Sequence, residues 1–379
     1  MRSVSAEGAV MKREIIVVLF LTSMAVPDYT TRAATDVLRL RLVQTIPLPG
    51  VQGRIDHLAV DVAGQRLFVA ALGNNTVEVI DLKRGERVQS LAGFKEPQGL
   101  AYLPDTKTVA VANGGDGLVT LLDGTSFKPT RTIAFGDDAD NLRYDAARKR
   151  LYVGYGSGAL GAYDLPKGTR LPDIPLDAHP ESFQLDAASG RIYVNVASRQ
   201  KVAIADVSKN SVVATWAVSA GAANFPMALD STHDRLFVVT RRPPHLVVFD
   251  TGSGKTVATL EADGDADDLF YDPARRRLYG CFGSGSVMVY AQNDPDHYTV
   301  RAKVPTTAGA RTGLSSADLR RLFVAVPRIP PLRFASSMSG RDTPTVTPGP
   351  MPRAAPGREH ERALTADWPR SRSARTSAG

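Results

Sequence analysis

The sequence predicts an all-β fold, a seven-bladed β-propeller of four-stranded blades with an N-terminal strand closing the last blade, and three observations carry that expectation. A cell of one basic residue plus an apolar β run occurs seven times: Arg66-Leu67-Phe68-Val69, Lys107-Thr108-Val109, Arg150-Leu151-Tyr152-Val153, Arg191-Ile192-Tyr193-Val194, Arg235-Leu236-Phe237-Val238, Arg277-Leu278-Tyr279 and Arg321-Leu322-Phe323-Val324. Successive anchors are 41, 43, 41, 44, 42 and 44 residues apart, the period of blades of about four strands. Between anchors, β-branched and polar residues alternate and are punctuated by Gly and Asn, which is hairpin chemistry.

The first repeat shows each element. Residues 56–61 form an extended run and Arg66 opens a second; Asn74-Asn75 turns into Thr76-Val77-Glu78-Val79-Ile80-Asp81, and Lys83-Arg84-Gly85-Glu86 turns into 88–91. Third strands recur at 118–122, 159–163, 201–205, 245–249 and 286–290. Asp81, Asp123, Asp164, Asp206 and Asp250 end the third strands of their repeats, where a carboxylate accepts backbone N–H groups of the following turn. The last repeat departs: Pro327, Pro330 and Pro331 stand where a third strand should begin, and 332–335 is a weak substitute, because proline cannot donate to a ladder. Residues 37–48 resemble a fourth strand, so they are expected at the rim of the last blade, joining the chain ends and removing exposed edges.

Domain limits follow. Met11-Lys12-Arg13, the apolar run 15–21 and Thr31-Arg32-Ala33 read as the charged region, apolar region and cleavage site of a signal peptide over 1–33, with Met11 as an alternative start. That run is too short for the ~20 residues of a membrane span. Export to the periplasm or outside the cell is the expectation, with the propeller over 34–327 and a disordered Pro/Arg-rich tail over 328–379. The tail carries +5 of the chain's +7, leaving 37–327 at only +2, so a nucleic-acid partner is not expected. Cys281 is the single cysteine, so no intrachain disulfide is available. A monomer is expected.

The cells Ile192-Tyr193-Val194-Asn195, Val109-Ala110-Val111-Ala112-Asn113 and 75–81 resemble the YVTN-type propeller repeat, and 37–327 as a whole is similar to exported YncE-like proteins. The resemblance implies the fold. It implies no single activity, since such relatives include surface-layer and periplasmic proteins and, more distantly, lactonases and quinoprotein or haem-bearing subunits.

The position ten residues before each anchor opens the strand nearest the channel. It is held by Asp56, Pro97 (Gln98 on a one-residue offset), Asp140, Glu181, Phe225, Asp267 and Arg311; the next residues are His57, Gln98, Asn141, Ser182, Pro226, Asp268 and Thr312. Carboxylates ~8 Å apart at an effective dielectric of ~20 repel by about 2 kcal/mol per pair, so the group is expected to bind protons, pair with Arg311 or recruit a cation. Asp56, Asp140, Glu181 and Asp267 are the candidate metal ligands. Ca²⁺ or another divalent cation suits them better than zinc, with His57 the lone imidazole of the set. The candidate ligand-binding residues are Asp56, His57, Gln98, Asp140, Asn141, Glu181, Asp267, Asp268 and Arg311, rimmed by loops at Asn74-Asn75, Tyr155-Gly156, Arg241-Arg242 and Phe282-Gly283.

Motifs of catalysis fail on context. Gly252-Ser253-Gly254-Lys255-Thr256 lacks the first P-loop glycine and a following helix, Gly154 to Gly158 lies between strands, and no nucleophile elbow or His-Glu-x-x-His occurs. The six histidines, His57, His179, His233, His245, His297 and His360, are scattered and read singly as surface or hydrogen-bonded residues. The expected role is therefore noncatalytic binding of a ligand, ion or partner protein at the funnel mouth. The alternative is a lactonase-like hydrolase using Asp56, His57, Glu181 and Arg311 for acid-base and carbonyl-orienting work.

Overall fold

The computed structural model describes residues 13–21 as backbone and 40–327 in full. Antiparallel four-stranded sheets, each with its first strand at the channel, follow one another around a ring. Among the described residues no helix is long and apolar enough to cross a membrane. The expected disordered tail over 328–379, the weak strand at 332–335 and the cleavage site at 31–33 lie outside the described residues.

The expectation of seven equivalent blades closed by one N-terminal strand is corrected. Six blades, not seven, are complete four-stranded units of continuous chain, over 58–92, 97–134, 139–175, 183–217, 222–261 and 266–305. The Arg321 repeat supplies only Gly313–Ser316 and Arg321–Val326, and two N-terminal strands complete a composite sheet with them. Arg13–Leu21, which contains the run read as the apolar part of a signal peptide, pairs with Arg321–Val326 on one side and with Leu40–Pro49 on the other. Leu40–Pro49 is the outermost strand of this sheet, the rim place expected for 37–48, and the strand inside it is Arg13–Leu21.

Burial follows the radial order of the strands. Second and third strands are almost wholly buried, as in Arg66–Ala71 and Thr76–Asp81, whereas fourth strands such as Glu86–Ala92 expose most residues. Apolar residues of adjacent sheets interdigitate; Ile46 and Leu48 of the composite sheet pack with Leu58, Leu67 and Val69 of the first blade and with Phe323. Cys281 is fully buried in such a layer, as a small apolar residue.

The repeating basic anchor has a physical cause. Arg66 donates to the Gly124 carbonyl, Arg191 Nη1 to Thr251 O at 3.5 Å and Arg235 Nε to Pro295 O at 2.9 Å, in each case about one and a half repeats further along. Arg66, Arg191 and Arg235, each at the start of a second strand, therefore tie their blades to the outer turn of the next. The expected turn carboxylates do accept backbone bonds: Asp81 Oδ1 from Lys83 and Arg84 at 2.8 and 3.0 Å, and Asp250 Oδ1 from Ser253 at 2.7 Å. Arg235 also pairs with Asp250 at 2.7 Å and Asp296 at 2.6 Å. Arg235→Ala is expected to lower stability by about 1–3 kcal/mol, read as a shift of the urea midpoint; no shift would remove the anchor's inter-blade role.

Candidate functional site

The residues flagged ten and nine positions before the anchors meet. A cavity of about 310 Å³ is lined by Asp56, His57, Gln98, Asp140, Asn141, Glu181 and Ser182, and by Phe225, Asp267 and Arg311. Of the nine sequence-derived candidates only Asp268 lies outside it, lining a second cavity of about 360 Å³ that shares His57 and Ser182 with the first.

Local backbone irregularity aims these side chains. The ladder shifts register between Ala139 and Leu142, between Asn224 and Met227 and between Ala266 and Asp268. Such bulges re-aim neighbouring residues, so Asp267 faces the mouth while Asp268 faces the inner cavity. Gly99 sets the approach of two blades: a Cβ there would lie 1.9 Å from the Asp140 carbonyl oxygen, so only glycine lets Ala139–Asp145 come this close.

Three lining residues, Arg54, Asp138 and His179, were not picked out by the sequence reading. Each stands two positions before a flagged residue, as Arg54 does before Asp56, Asp138 before Asp140 and His179 before Glu181. Residues two apart in extended chain face the same way, so that step was a legible signal.

Charges sort into two arcs. On one, Arg54 Nη2 pairs with Asp56 at 2.7 Å, Arg241 Nη2 with Asp267 Oδ1 at 2.6 Å, and Arg311 Nε with Asp267 Oδ2 at 3.0 Å while its Nη1 pairs with Asp265 at 3.0 Å. On the other, Asp140, His179 and Glu181 present donor atoms all within 4.8 Å of one another. Of the candidate metal ligands, Asp140 and Glu181 fall in this group beside His179, whereas Asp56 and Asp267 are paired with guanidinium groups, Asp267 with Arg311 among them.

Burial drives the protonation behaviour. Burial raises the Asp56 carboxyl to about 6 despite His57 and Arg54. It raises Glu181 to about 7, assisted by Asp140 and opposed by His179. Asp267 is likewise pushed up by burial against Arg241 and Arg311. For His57 burial works against the imidazolium, but Asp268 and Asp56 outweigh it and hold the ring at about 10. His57 lies between them, Nδ1 3.5 Å from Asp268 and Nε2 3.8 Å from Asp56. For His179, too, burial lowers and the hydrogen bonds to Asp140 and the Gly156 carbonyl more than restore, to about 9. Asp140 stays below the usual carboxylate range because His179, His57 and Arg54 outweigh its burial.

The residues considered for hydrolysis are thus differently disposed. His57 is an imidazolium between two carboxylates rather than a base, Arg311 is held by Asp265 and Asp267, and of these four side chains the Glu181 carboxylate alone has no hydrogen bond or ion pair among the described residues.

Comparison with known proteins places the fold. No family model matches the chain. An uncharacterized WD repeat-containing protein of Synechocystis sp. is 34% identical over 86 residues, which are 22% of this chain and 23% of that protein. The chain therefore aligns with under a quarter of that relative's length. Among solved structures, a chain of Kuenenia stuttgartiensis hydrazine synthase superposes with a TM-score of 0.61 at 17% identity, covering 71% of this chain and 92% of that one. A chain of a mitotic checkpoint complex gives 0.61 at 16% identity, covering 80% and 97%. The protein is a β-propeller repeat protein, and its structural neighbours include a chain of a multi-protein complex.

Proposed function

We propose that this is an exported, noncatalytic propeller of the YVTN/YncE-like kind that binds a small polar ligand or ion in its funnel mouth. The observation that carries this reading is convergence: residues on or just before the innermost strand of every sheet line one polar cavity of about 310 Å³. Pockets with a few convergent polar groups are the usual ligand sites of a fold. Guanidinium groups on one arc and carboxylates on the other suit a small molecule bearing charge, and the ion pairs that already satisfy most of these groups favour holding a ligand over transforming it. Export rests on the charged and apolar segments near the N-terminus.

The test is a thermal-shift panel on the full chain with succinate, citrate, glycine, CaCl₂ and ZnSO₄. At least one probe should raise the melting temperature by several degrees, and Arg54→Gln or Asp140→Asn should reduce that shift. No shift with any probe, or shifts indifferent to both substitutions, would overturn the reading.

A further inference from the structure

We infer that Asp140, His179 and Glu181 form a binding site for a divalent cation of the Zn²⁺ class at the funnel mouth. The inference deepens the proposed ligand site and rests on it. The three donor sets lie within 4.8 Å of one another, and His179 Nε2 is 3.8 Å from Asp140 Oδ2. Donors around a cation with bonds of ~2.0–2.1 Å stand roughly 3.3 Å apart in a tetrahedron, so the His179–Asp140 pair must close by about 0.5 Å and a pair at the outer limit by about 1.5 Å.

Two further observations point to a ligand rather than a self-satisfied cluster. Asn141, 3% exposed, lines the same cavity, and its Oδ1 has no hydrogen-bond partner. The Glu181 carboxylate has no hydrogen bond or ion pair among the described residues either. A buried acceptor without a donor is destabilising, and a bound cation with its waters would satisfy it.

The histidine is also presented as a metal ligand would be. Its Nδ1 lies 2.6 Å from the Gly156 carbonyl oxygen, which accepts the Nδ1 proton and leaves Nε2 directed at Asp140. A ligating imidazole ordinarily donates its other N–H to a carbonyl or carboxylate, which fixes the tautomer and ring orientation. The imidazole nitrogen is what moves the choice of ion. Ca²⁺ takes six to eight oxygens, whereas one nitrogen and two carboxylates suit Zn²⁺ with a fourth position open. That open position faces a cavity whose far arc carries Arg54 and Arg311, so an anionic group on the metal would meet guanidinium there.

The experiment is calorimetric titration of the chelator-treated full chain with ZnSO₄, with CaCl₂ in parallel. One equivalent of Zn²⁺ should bind in preference to Ca²⁺, and His179→Gln and Asp140→Asn should each weaken it by roughly 100-fold, while Asp81→Asn, in an outer turn away from the cavity, leaves it unchanged. A Co²⁺-loaded chain should show a tetrahedral visible absorption band that His179→Gln abolishes. Absence of Zn²⁺ binding, a preference for Ca²⁺, or Zn²⁺ binding unchanged in both His179→Gln and Asp140→Asn would each overturn the inference. Succinate or glycine binding that persists without any metal binding would do so while leaving the ligand-site reading intact.

Discussion

Replacing Ile46 and Leu48 together by alanine is expected to destabilise the ring by roughly 4–10 kcal/mol, since each large-to-alanine change in a packed core costs about 2–5. That approaches the whole stability of an ordinary domain, about 5–15 kcal/mol. Both side chains are fully buried, and they lie on the strand that forms the outer edge of the composite sheet while packing against Leu67, Val69 and Phe323. The pair therefore reports whether the N-terminal region closes the ring. Leu42, on the same strand but 55% exposed, is the matched control and should cost under about 0.5 kcal/mol. Urea denaturation of the two variants decides it: near-equal midpoints would mean that Leu40–Pro49 does not seal the seam. Because Ile46 and Leu48 share neighbours, the double variant need not equal the sum of the singles.

Alkaline pH is expected to remove a few kcal/mol of stability, most of it through His57. Its ring titrates at about 10 in the fold against 6.5 unfolded, and one unit is worth about 1.4 kcal/mol. A raised folded value means that the contribution is fully present below pH 6.5 and is lost as pH climbs toward 10. His179, at about 9, acts with the same sign. Glu181 and Asp56 are raised as well, to about 7 and 6. The fold holds their protons more tightly than the unfolded chain does, so stability also falls as pH rises from near 4 to 7. The turn carboxylates oppose this at the acid end. Asp61 and Asp230 are buried, but their hydrogen bonds to Arg66 and Gly64, and to Gln292 and His233, outweigh that burial and lower both values, so their contribution is present above about 3.8 and is lost on further acidification. The melting temperature should thus peak at mildly acid pH. His57→Gln should flatten the limb between pH 7 and 10; an unchanged slope would show that the imidazolium between Asp56 and Asp268 is not its source.

The repeat period was legible because every blade needs the same parts. A basic anchor and an apolar second strand recur in every repeat and a turn aspartate in most, and at Arg66, Arg191 and Arg235 the anchor reaches the next blade's turn. The mouth was legible for the same reason, since a fixed offset from the anchor fixes radial position. Closure and detail were less legible. The apolar run at 15–21 has the composition of a leader and of a β-strand alike, and local pattern does not separate the two. Its place between Leu40–Pro49 and Arg321–Val326 depends on pairing across 300 residues of chain. His179 was judged as an isolated histidine rather than by register, although its position two before Glu181 put it on the same face. The pairing of this carboxylate group with Arg311 is legible and present at Asp267, but the further guanidinium partners Arg54 and Arg241 lie outside the two positions compared across blades.

Hydrogen–deuterium exchange on the full chain, with and without the probe that raises its melting temperature, addresses the funnel-mouth site most directly. Added protection should fall together on the widely separated segments 54–57, 138–141, 179–182 and 265–268, which line the mouth. Protection confined to the outer strands, or to a single blade, would contradict a shared site on the axis of the ring.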